Sequence, residues 1–306
     1  MKLRILLTGK NGQVGAELAA LLPQLGELAA FDRYGLNLSK PDHIRRAIRE
    51  VRPSIIVNAA AYTMVDQAET DKEQARIINA DAPALMAEEA KKIGAALVHY
   101  STDYVFDGSK NLPYNETDRP CPINVYGETK LAGEEAIQTV GPAHLIFRTA
   151  WVYGTRGRNF LLTILRLATE CEELKVVSDQ FGSPTWSHEI AKATERVLRQ
   201  LFQQGREAIC RLSGVYHMTA AGETSWFEFA KAILEEASRV APCSPWFKAA
   251  TKGQPLITRR VNGITTEEYP TPARRPAYSV LSNFRLRQVF ALELPDWLSQ
   301  LRAAFA

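Results

Sequence analysis

Cysteine and histidine are scarce and scattered in this chain of 306 residues. The four cysteines show no C-x-x-C spacing, and the five histidines form no H-x-x-x-H pair. This pattern excludes a disulfide-stapled scaffold and the common zinc motifs, so the residues themselves predict no metal site. Cys121, Cys171, Cys210 and Cys243 are interpreted as unpaired thiols of a reducing compartment, and a cytoplasmic location is expected.

Long apolar runs and a strong charge imbalance are also missing. No window reaches the ~20 apolar residues of a membrane span, and the first residues do not show a charged start followed by an apolar signal stretch. The formal net charge is only +3 and the charges are scattered, which argues against a nucleic-acid partner. With 46% hydrophobic residues, the chain can bury a substantial core in one large or two modest domains.

The chain does have a glycine cluster at its start. An apolar segment at residues 2–7 is interpreted as a strand, and it runs into Gly9, Gly12 and Gly15 and then a helical pattern. Glycines at such a turn let backbone N–H groups approach a pyrophosphate, which the N-terminus of the following helix attracts. The glycines are separated by two residues twice, whereas the usual fingerprint has one and then two. The order of strand, glycines and helix still predicts a dinucleotide site.

Asp32 and Arg33 bear on which dinucleotide is bound. Asp32 ends a second apolar run, 20 residues after Gly12, where an acidic side chain accepts hydrogen bonds from the ribose hydroxyls. Arg33 follows directly, and a guanidinium there could hold a 2′-phosphate, although an ordinary surface arginine fits equally well. The cofactor is therefore expected to be NADPH or NADH, with the preference left open.

Apolar segments and helical patterns alternate over the first half of the chain. Strands are expected at residues 55–57, 96–100 and 145–147, and helices at residues 41–51, capped by Ser39, and at residues 82–93. Repeated β–α units with near-continuous apolar strands predict a parallel sheet covered on both faces, which is an α/β, Rossmann-type doubly wound fold. Ligands in such sheets bind beyond the carboxyl ends of the strands. Residues 9, 32, 58 and 102 are therefore expected to line one crevice.

The alternation loosens after about residue 150. Helices are expected near residues 160–168, 187–202 and 226–237, and strands near residues 176 and 215–217. Residues 251–279 are interpreted as an ordered loop over a site or a flexible linker. Residues 1–150 are predicted to form the dinucleotide-binding domain. Residues 151–306 are predicted to form mainly a smaller mixed α/β substrate-binding domain, with some segments returning to the first domain.

A tyrosine and a lysine four residues apart are the main catalytic candidates. On a helix, Tyr126 and Lys130 project from one face, one turn apart. A phenol normally titrates near ~10, and a nearby ammonium favours its ionised form. The pair therefore suits a general acid for a carbonyl group, although this spacing alone is weak and also fits a solvated helix face.

Together these features resemble the extended short-chain dehydrogenase/reductase superfamily, and the whole chain is most similar to its reductases of deoxysugar nucleotides. The resemblance is carried by residues 57–69 (VNAAAYTMVDQAE), 99–106 (HYSTDYVF), 124–133 (NVYGETKLAG), 147–153 (FRTAWVY), 178–185 (SDQFGSPT) and 270–279 (PTPARRPAYS). It implies NAD(P)H-dependent reduction of the 4-keto group of a dTDP-linked 6-deoxyhexulose. The implied partner is a small sugar nucleotide, and a homodimer stays open.

The resemblance also implies roles for particular residues. Tyr126 donates the proton, Lys130 binds the nicotinamide ribose and lowers the Tyr126 pKa, and Thr102 hydrogen-bonds the substrate oxygen. Asp103 and Trp151 contact the sugar nucleotide. Residues expected at the dinucleotide are Gly9, Gly12, Gln13, Val14, Gly15, Asp32, Arg33, Asn37, Leu38, Ala60, Ala61, Tyr62, Thr63, Tyr100, Tyr126 and Lys130. The chain departs from its relatives at Asn37-Leu38, where an acidic residue is frequent, and at Tyr62, where a histidine is frequent.

Several of these residues have a plain structural alternative. Thr102 could cap a strand end, and Trp151 could fill a domain interface, as large aromatic side chains often do. Arg274 and Arg275 could grip the substrate diphosphate or lie in an exposed loop, and Arg275 is the better candidate because Pro276 fixes the turn beside it. Some relatives hold Mg²⁺ with carboxylates at a dimer contact. Glu17 and Glu189 are the residues that would correspond, although two scattered glutamates do not make a metal site.

Three competing functions share this crevice. A sugar-nucleotide dehydratase needs an Asp-Glu pair after the threonine, and the chain has Asp103-Tyr104 instead. A 4-epimerase uses the same tyrosine and lysine but retains its dinucleotide through many turnovers. A regulatory subunit could keep the fold with catalysis idle, which the intact set of Thr102, Tyr126 and Lys130 argues against.

Replacing Arg33 tests which dinucleotide the sequence favours. Because Asp32 and Arg33 act in opposite directions, NADPH and NADH should bind within about tenfold of each other, which is ~1.4 kcal/mol. Arg33→Ala should weaken NADPH more than NADH, as measured by titrating each reduced cofactor. Equal losses for the two cofactors would contradict the assignment of Arg33 to the 2′-phosphate.

Overall fold

The computed structural model describes residues 3–205, 207–239 and 244–306, so Lys2 and Cys243 lie outside the described residues. Cys121, Cys171 and Cys210 are free thiols. Twelve strands occur in the described ranges: β1 (Arg4–Thr8), β2 (Glu27–Phe31), β3 (Ile55–Asn58), β4 (Ala96–Thr102), β5 (His144–Thr149), β6 (Val152–Tyr153), β7 (Glu173–Val177), β8 (Phe181–Gly182), β9 (Thr185–Trp186), β10 (Gly214–His217), β11 (Thr224–Ser225) and β12 (Arg260–Ile264).

The same residues contain thirteen α-helices. They are α1 (Gln13–Leu21), α2 (Pro41–Val51), α3 (Val65–Ala68), α4 (Lys72–Arg76), α5 (Ala82–Ile93), α6 (Val125–Val140), α7 (Phe160–Ala168), α8 (Ser187–Gln203), α9 (Glu207–Arg211), α10 (Trp226–Arg239), α11 (Pro245–Thr251), α12 (Phe284–Phe290) and α13 (Trp297–Phe305). A π-helical turn, Ile77–Asp81, joins α4 to α5. No helix within the described ranges is long and apolar enough to span a membrane.

Six strands form one parallel sheet in the order β10-β5-β4-β3-β1-β2. The central strands are buried on both faces, as in β3, where all four residues are buried, whereas edge strand β2 is half-buried and begins with the exposed Glu27. One apolar cluster joins the sheet to α1 and α8, and a second joins its other face to α2, α5 and α6. The predicted Rossmann-type doubly wound fold is therefore confirmed.

The remaining elements build a smaller unit beside the sheet. Three short two-stranded pairings, β6 with β9, β7 with β12 and β8 with β11, lie near helices α7, α10, α11 and α13. A third apolar cluster, which includes Tyr153, Phe229 and Phe305, forms the core of this unit. Strand β10 lies within the second half of the sequence but pairs with β5 at the edge of the main sheet.

The predicted Ser39 cap and the predicted loop at residues 251–279 differ in how they compare with the structure. The predicted Ser39 cap is wrong: α2 begins at Pro41 with Lys40 at its N-cap, because the Ser39 hydroxyl and N–H both donate to Asn37 Oδ1. Residues 251–279 are an ordered segment, since they contain β12. Thr266 also donates to Asp179 through its N–H and hydroxyl at 2.7–3.0 Å.

Helix α6 approaches its neighbours more closely than any side chain allows. A Cβ on Gly127 would lie 2.1 Å from Tyr104 O, and one on Gly133 would lie 2.1 Å from Asn79 O in the π-helical turn. Asn124 caps the helix by accepting from Gly127 N at 2.8 Å. Glu134 of α6 forms a buried bidentate ion pair with Arg148 of β5, at 2.7–3.2 Å. These contacts fix the position of the helix that carries Tyr126 and Lys130.

The Gly133 contact gives a test with an unusual sign. In a helix, alanine is normally favoured over glycine by about 0.5–1 kcal/mol. Gly133→Ala should instead lower the free energy of unfolding by about 1–3 kcal/mol, because its methyl group overlaps a backbone carbonyl. The control is Ala132→Gly at the exposed neighbouring position, which should show the ordinary helix preference. Urea unfolding of both variants measures this, and a Gly133→Ala protein more stable than wild type would contradict the close contact.

Candidate active site

The carboxyl ends of the parallel strands bring the candidate residues to one edge of the sheet. Gly9 follows β1, Asp32 follows β2, Ala59 follows β3, Thr102 ends β4 and Trp151 follows β5. Because the strands are parallel and adjacent, these ends face the same crevice. The structure thus brings together residues that are far apart in the sequence.

The glycine turn is fitted closely to the segment after β3. Gly9 has a φ of +72°, and a Cβ there would lie 2.8 Å from Ala60 N. At Gly15, in the first turn of α1, a Cβ would lie 2.0 Å from Gly9 O. Gly12 is exposed and is the N-cap of α1, with no side-chain cap. The first N–H groups of the helix are therefore left for a ligand, which suits a pyrophosphate.

Gln13 connects this turn to the second half of the chain. Its Nε2 donates to Val152 O at 3.4 Å, and its Oε1 accepts from Asn159 Nδ2 at 2.9 Å. Asn159 is the N-cap of α7 and accepts from Leu162 N. Val14 packs against the apolar cluster beneath the sheet.

Asp32 is surrounded by donors at the end of β2. Its Oδ1 accepts from Tyr34 N at 3.0 Å and from Gly35 N at 2.9 Å, and its Oδ2 accepts from Asn11 Nδ2 at 3.4 Å. Lys10 Nζ lies 3.6 Å from the same Oδ2. The backbone N–H of Gly35 is the main reason why the Asp32 pKa is below its ordinary value, so the side chain is a carboxylate at neutral pH.

Lys10 is a candidate that sequence reasoning missed. It lies between the first two glycines, where attention falls on the glycines themselves, and its charge sits beside Asp32. Arg33, the residue after Asp32, is exposed. Leu38 is buried, and Asn37 is held by its two bonds from Ser39. The end of β2 therefore has the Asp32 carboxylate beside the Lys10 ammonium, with an exposed arginine next in the sequence.

The segment after β3 is held by Asn79, a second missed residue. Asn79 is fully buried in the π-helical turn, accepts from Tyr62 N at 2.9 Å and donates to Tyr62 O at 3.1 Å. The Tyr62 hydroxyl donates to Asp71 Oδ2 at 3.1 Å. Residues 60–63 thus keep a fixed path along the crevice, with Ala60, Ala61 and Tyr62 half-buried and Thr63 exposed.

Tyr126 and Thr102 lie close together at the crevice. A hydrogen bond with Thr102 lowers the Tyr126 pKa, but burial outweighs it and raises that pKa to about 12. Thr102 also accepts from Tyr104 N at 3.1 Å, so it does cap the short 3₁₀ turn that follows β4. The capping interpretation and the site interpretation are therefore compatible for this residue.

Lys130 is buried behind Tyr126, with its ammonium turned toward β4. Its Nζ donates to Tyr100 O at 2.6 Å and lies 3.1 Å from His99 Nε2. Burial lowers the Lys130 pKa to about 8, although Glu134 acts in the opposite direction. Lys130 is not among the groups that shift the Tyr126 pKa here, so the expected lowering by Lys130 is not seen in this arrangement. The Tyr100 side chain points away from the crevice and bonds Thr194 Oγ1 at 2.7 Å.

Asp103 is a buried carboxyl beside Thr102. Its Oδ1 accepts from the Thr102 hydroxyl at 3.0 Å, while its buried Oδ2 has no partner among the described residues. Burial raises its pKa to about 6, although the nearby Ser279 hydroxyl, whose hydrogen bond goes to Phe181 O, and the hydrogen bond from Thr102 oppose the shift. A buried oxygen without a donor is costly, which suits a hydroxyl of a bound ligand.

Trp151 combines packing with an unusual backbone. Its ring stacks on Trp226 with centroids 3.5 Å apart, and a Cβ on Gly182 would lie 2.4 Å from Trp151 Cε2. Its φ is +47°, a region that bulky residues rarely adopt. Such strain is found where the surroundings force it, often at ligand sites. Trp151 therefore has the packing partners of a core residue at the end of a site strand.

The two arginines of the 270–279 segment differ in their partners. Arg275 donates to both oxygens of Asp66 at 2.7 and 2.8 Å and also to Thr271 Oγ1 and Ala273 O. Arg274 is exposed, and within the described ranges its one side-chain hydrogen bond is accepted by its backbone oxygen, from Asn124 Nδ2 at 2.7 Å. The Arg275 guanidinium is thus committed to α3, whereas that of Arg274 is exposed.

The two glutamates considered for Mg²⁺ are also committed elsewhere. Glu17 Oε2 lies 2.9 Å from His188 Nδ1, and Glu189 Oε1 accepts from Lys192 Nζ at 2.9 Å. In the part of the chain that the structure describes, no group of three acidic, histidine or cysteine side chains could hold a metal ion. The Mg²⁺ expectation therefore has no support here.

Comparison with known proteins agrees with this geometry over the full length. A family model described as the RmlD substrate binding domain matches residues 2–306. A dTDP-4-dehydrorhamnose reductase of Burkholderia thailandensis is 48% identical and covers 96% of this chain and 95% of its own. One of Escherichia coli is 46% identical, with 96% and 94% covered. The crystal structure of a Bacillus anthracis dTDP-4-dehydrorhamnose reductase in complex with NADP has a TM-score of 0.86 at 36% identity, covering 100% of this chain and 99% of that one.

The buried Asp103 carboxyl predicts a pH-dependent change in stability. Its pKa of about 6 lies above the ordinary value of 3.8, so the folded protein binds more protons than the unfolded chain between these values. Stability must therefore fall as the pH rises through this window. Asp103→Asn should raise the free energy of unfolding by about 2–3 kcal/mol near about pH 8 and change it little near about pH 4.

Urea unfolding at both pH values measures the effect, with Asp107→Asn as the control. Hydrogen bonds, foremost from Ser109 N, lower the Asp107 pKa, so the folded state favours its carboxylate. That substitution should cost stability at the higher pH. An Asp103→Asn protein that is less stable than wild type at about pH 8 would contradict the burial penalty.

Proposed function

This chain belongs to the dTDP-4-dehydrorhamnose reductase family, and we propose that its crevice reduces the 4-keto group of dTDP-4-dehydro-L-rhamnose to give dTDP-L-rhamnose. Membership makes it an NAD(P)H-dependent oxidoreductase of dTDP-rhamnose biosynthesis. One observation supports the reaction most directly. The Tyr126 and Thr102 hydroxyls meet at the edge of the sheet that also holds the glycine turn.

Tyr126 is proposed as the proton donor. A bound reduced nicotinamide supplies the hydride to the carbonyl carbon, and negative charge then develops on the carbonyl oxygen. With a pKa of about 12, Tyr126 is protonated at neutral pH and has a proton to give. Thr102 donates a second hydrogen bond to the same oxygen, so the pair stabilises the charge as it forms. For this, Thr102 must turn its hydroxyl away from Asp103.

Lys130 is proposed to stabilise the phenolate form of Tyr126 from the interior side of α6. Its Nζ lies in the protein interior, one turn along α6 from Tyr126, and it must turn from Tyr100 O toward Tyr126 for its positive charge to stabilise a phenolate. Lys130 is also proposed to hold the nicotinamide ribose. The burial that lowers its pKa to about 8 leaves it mostly protonated at neutral pH, as both roles require.

The dinucleotide is proposed to lie across the glycine turn, with its pyrophosphate at the start of α1. A relative binds NADP, and this chain offers Lys10 and Arg33 for a 2′-phosphate. Asp32 offers a carboxylate for the ribose hydroxyls of NADH, and its donors are already in place. Residues 1–150 are proposed to hold the cofactor, and residues 151–306 mainly the substrate, with β10 returning to the main sheet.

The sugar nucleotide is proposed to meet Asp103 and Trp151. The Asp103 oxygen that has no partner can accept a sugar hydroxyl, and the Trp151 ring forms a wall at the end of β5. For the diphosphate, Arg274 now competes with Arg275. The exposed Arg274 is available directly, whereas Arg275 would have to leave Asp66 or reach the phosphate with its remaining donors.

Removing the Tyr126 hydroxyl tests this function. Tyr126→Phe keeps the ring and deletes the proton donor, so kcat should fall by about 10²–10⁴-fold while both ligands bind nearly as in wild type. Because the group acts only as charge develops, kcat and kcat/KM should fall together. The reaction is followed by the absorbance of the reduced cofactor with the 4-keto sugar nucleotide as substrate.

Tyr104→Phe is the matched control, since the Tyr104 ring packs edge-on against Tyr126 with centroids 5.6 Å apart. It should change kcat only slightly. If Tyr126→Phe turned over at a near wild-type rate, the proposed acid would be wrong and a cofactor-binding regulator would become the better description.

A further inference from the structure

Four buried polar side chains form a continuous row of close contacts that ends at Lys130. Thr8 of β1, Asn58 of β3 and His99 of β4 are register partners on adjacent strands, and Lys130 comes from α6 above them. Each of the four is only 1% exposed. The links are 2.6 Å from Thr8 Oγ1 to Asn58 Oδ1, 3.0 Å from Asn58 Nδ2 to His99 Nδ1 and 3.1 Å from His99 Nε2 to Lys130 Nζ.

The direction of these hydrogen bonds is set at the Asn58 end. Ala60 N–H is shared between Thr8 Oγ1 at 3.3 Å and Asn58 Oδ1 at 3.4 Å. A backbone N–H can only donate, so Thr8 Oγ1 accepts from Ala60 and its own hydrogen is directed to Asn58 Oδ1 at 2.6 Å, which places the amide oxygen on the side of Ala60 and Thr8. The amide nitrogen then faces His99 and donates to Nδ1.

The His99 ring then donates its hydrogen bond to Lys130. Burial, reinforced by the charge of Lys130, holds the His99 pKa well below its ordinary value, so the ring is neutral. A neutral imidazole that accepts at Nδ1 carries its hydrogen at Nε2. That hydrogen points at Lys130 Nζ, which already donates to Tyr100 O at 2.6 Å. The acceptor that fits an N–H at this point is the lone pair of a lysine amine.

We propose that Thr8, Asn58 and His99 form an oriented hydrogen-bond chain that ends on the Lys130 amine, and that His99 is the positioning residue that sets when Lys130 carries its proton. An ammonium at this point would face a second donor. It would require His99 to move its hydrogen to Nδ1, against the Asn58 amide. The chain therefore favours release of the Lys130 proton. The other titratable group that acts on Lys130 is Glu134, whose carboxylate favours the ammonium while it is held by Arg148 of β5.

The hydrogen bond between His99 and Lys130 implies a second role for Lys130 in the catalytic cycle, and this consequence rests on the proposed function. After Tyr126 has given its proton to the carbonyl oxygen, the phenolate must recover one. For this, Lys130 Nζ must turn from Tyr100 O to the Tyr126 oxygen and give it a proton; the amine that remains accepts the hydrogen bond from His99 Nε2. Lys130 then regains a proton from an acid of the solvent, so the cycle consumes one proton overall. A group that titrates close to the working pH is suited to this exchange.

The ionisation of Lys130 can be measured without substrate or cofactor. In full-length protein labelled with [¹³C]lysine, the Lys130 Cε signal is identified by its absence from Lys130→Met. The wild-type signal should titrate near about 8, well below surface lysines near ~10.4. His99→Leu removes a hydrogen bond to the amine, so the Lys130 pKa should rise by about one unit, a tenfold change in the ionisation constant.

Two further variants separate this role from general disturbance. His99→Gln keeps a donor for Lys130 and an acceptor for Asn58, so the titration should return close to the wild-type value. His217→Leu removes another buried imidazole of the same sheet, and its Nδ1 contacts Tyr114 O instead of Lys130, so it should leave the titration unchanged. A Lys130 pKa that is unchanged or lower in His99→Leu would overturn the proposal, as would an equal rise in His217→Leu or in His99→Gln.

If His99→Leu does not fold, Asn58→Asp serves in its place. A carboxylate at residue 58 accepts the His99 hydrogen at Nδ1 and turns Nε2 into an acceptor for the ammonium. The Lys130 pKa should then rise by more than one unit, and an unchanged value would overturn the proposal. Because the titration is read in the free protein, it can fail while Tyr126→Phe still loses activity, so the two proposals are tested separately.

Discussion

The position of α6 depends on contact between backbones without intervening side chains. Gly127 and Gly133 let the helix touch Tyr104 and the π-helical turn at points where a methyl group would overlap a carbonyl oxygen. The buried pair of Glu134 and Arg148 then fixes the helix against β5. A buried ion pair is weak evidence for stability but defines one geometry, since breaking it leaves an unpaired charge. The candidate acid and the lysine behind it inherit their positions from these three contacts.

Burial tunes the site residues in opposite directions. It raises the pKa of Tyr126 to about 12 and that of Asp103 to about 6, and it lowers the pKa of Lys130 to about 8. The cause is the same each time, because the charged form loses water, but a phenol, a carboxyl and an amine respond differently. The hydrogen bond with Thr102 then lowers the Tyr126 pKa, whereas the charge of Glu134 raises that of Lys130. The site thus keeps the Tyr126 proton in place at neutral pH, while burial weakens the hold of the nearby Lys130 on its own proton.

Much of the fold could be predicted because apolar segments such as residues 55–57 signal buried strands directly, and the predicted helix at residues 82–93 is found as α5. The glycines and Asp32 lie where strand order implies, although their ligand contacts stay predictions. Pairings between distant segments could not be predicted. The bond from Arg275 to Asp66 and the row from Thr8 through His99 depend on strand register and loop paths, which no local pattern encodes. Ser39 failed as a cap because a competing turn at Asn37 takes its hydroxyl, a local choice that spacing alone does not reveal.

Gln13 couples the glycine turn mechanically to the smaller unit. Its amide bonds Val152 O on one side and Asn159 on the other, and Asn159 in turn caps α7. A dinucleotide that accepted hydrogen bonds from this amide would compete with the bonds that join the glycine turn to the smaller unit. Binding at the glycine turn would then change how firmly this turn is held to the smaller unit, through the single side chain of Gln13.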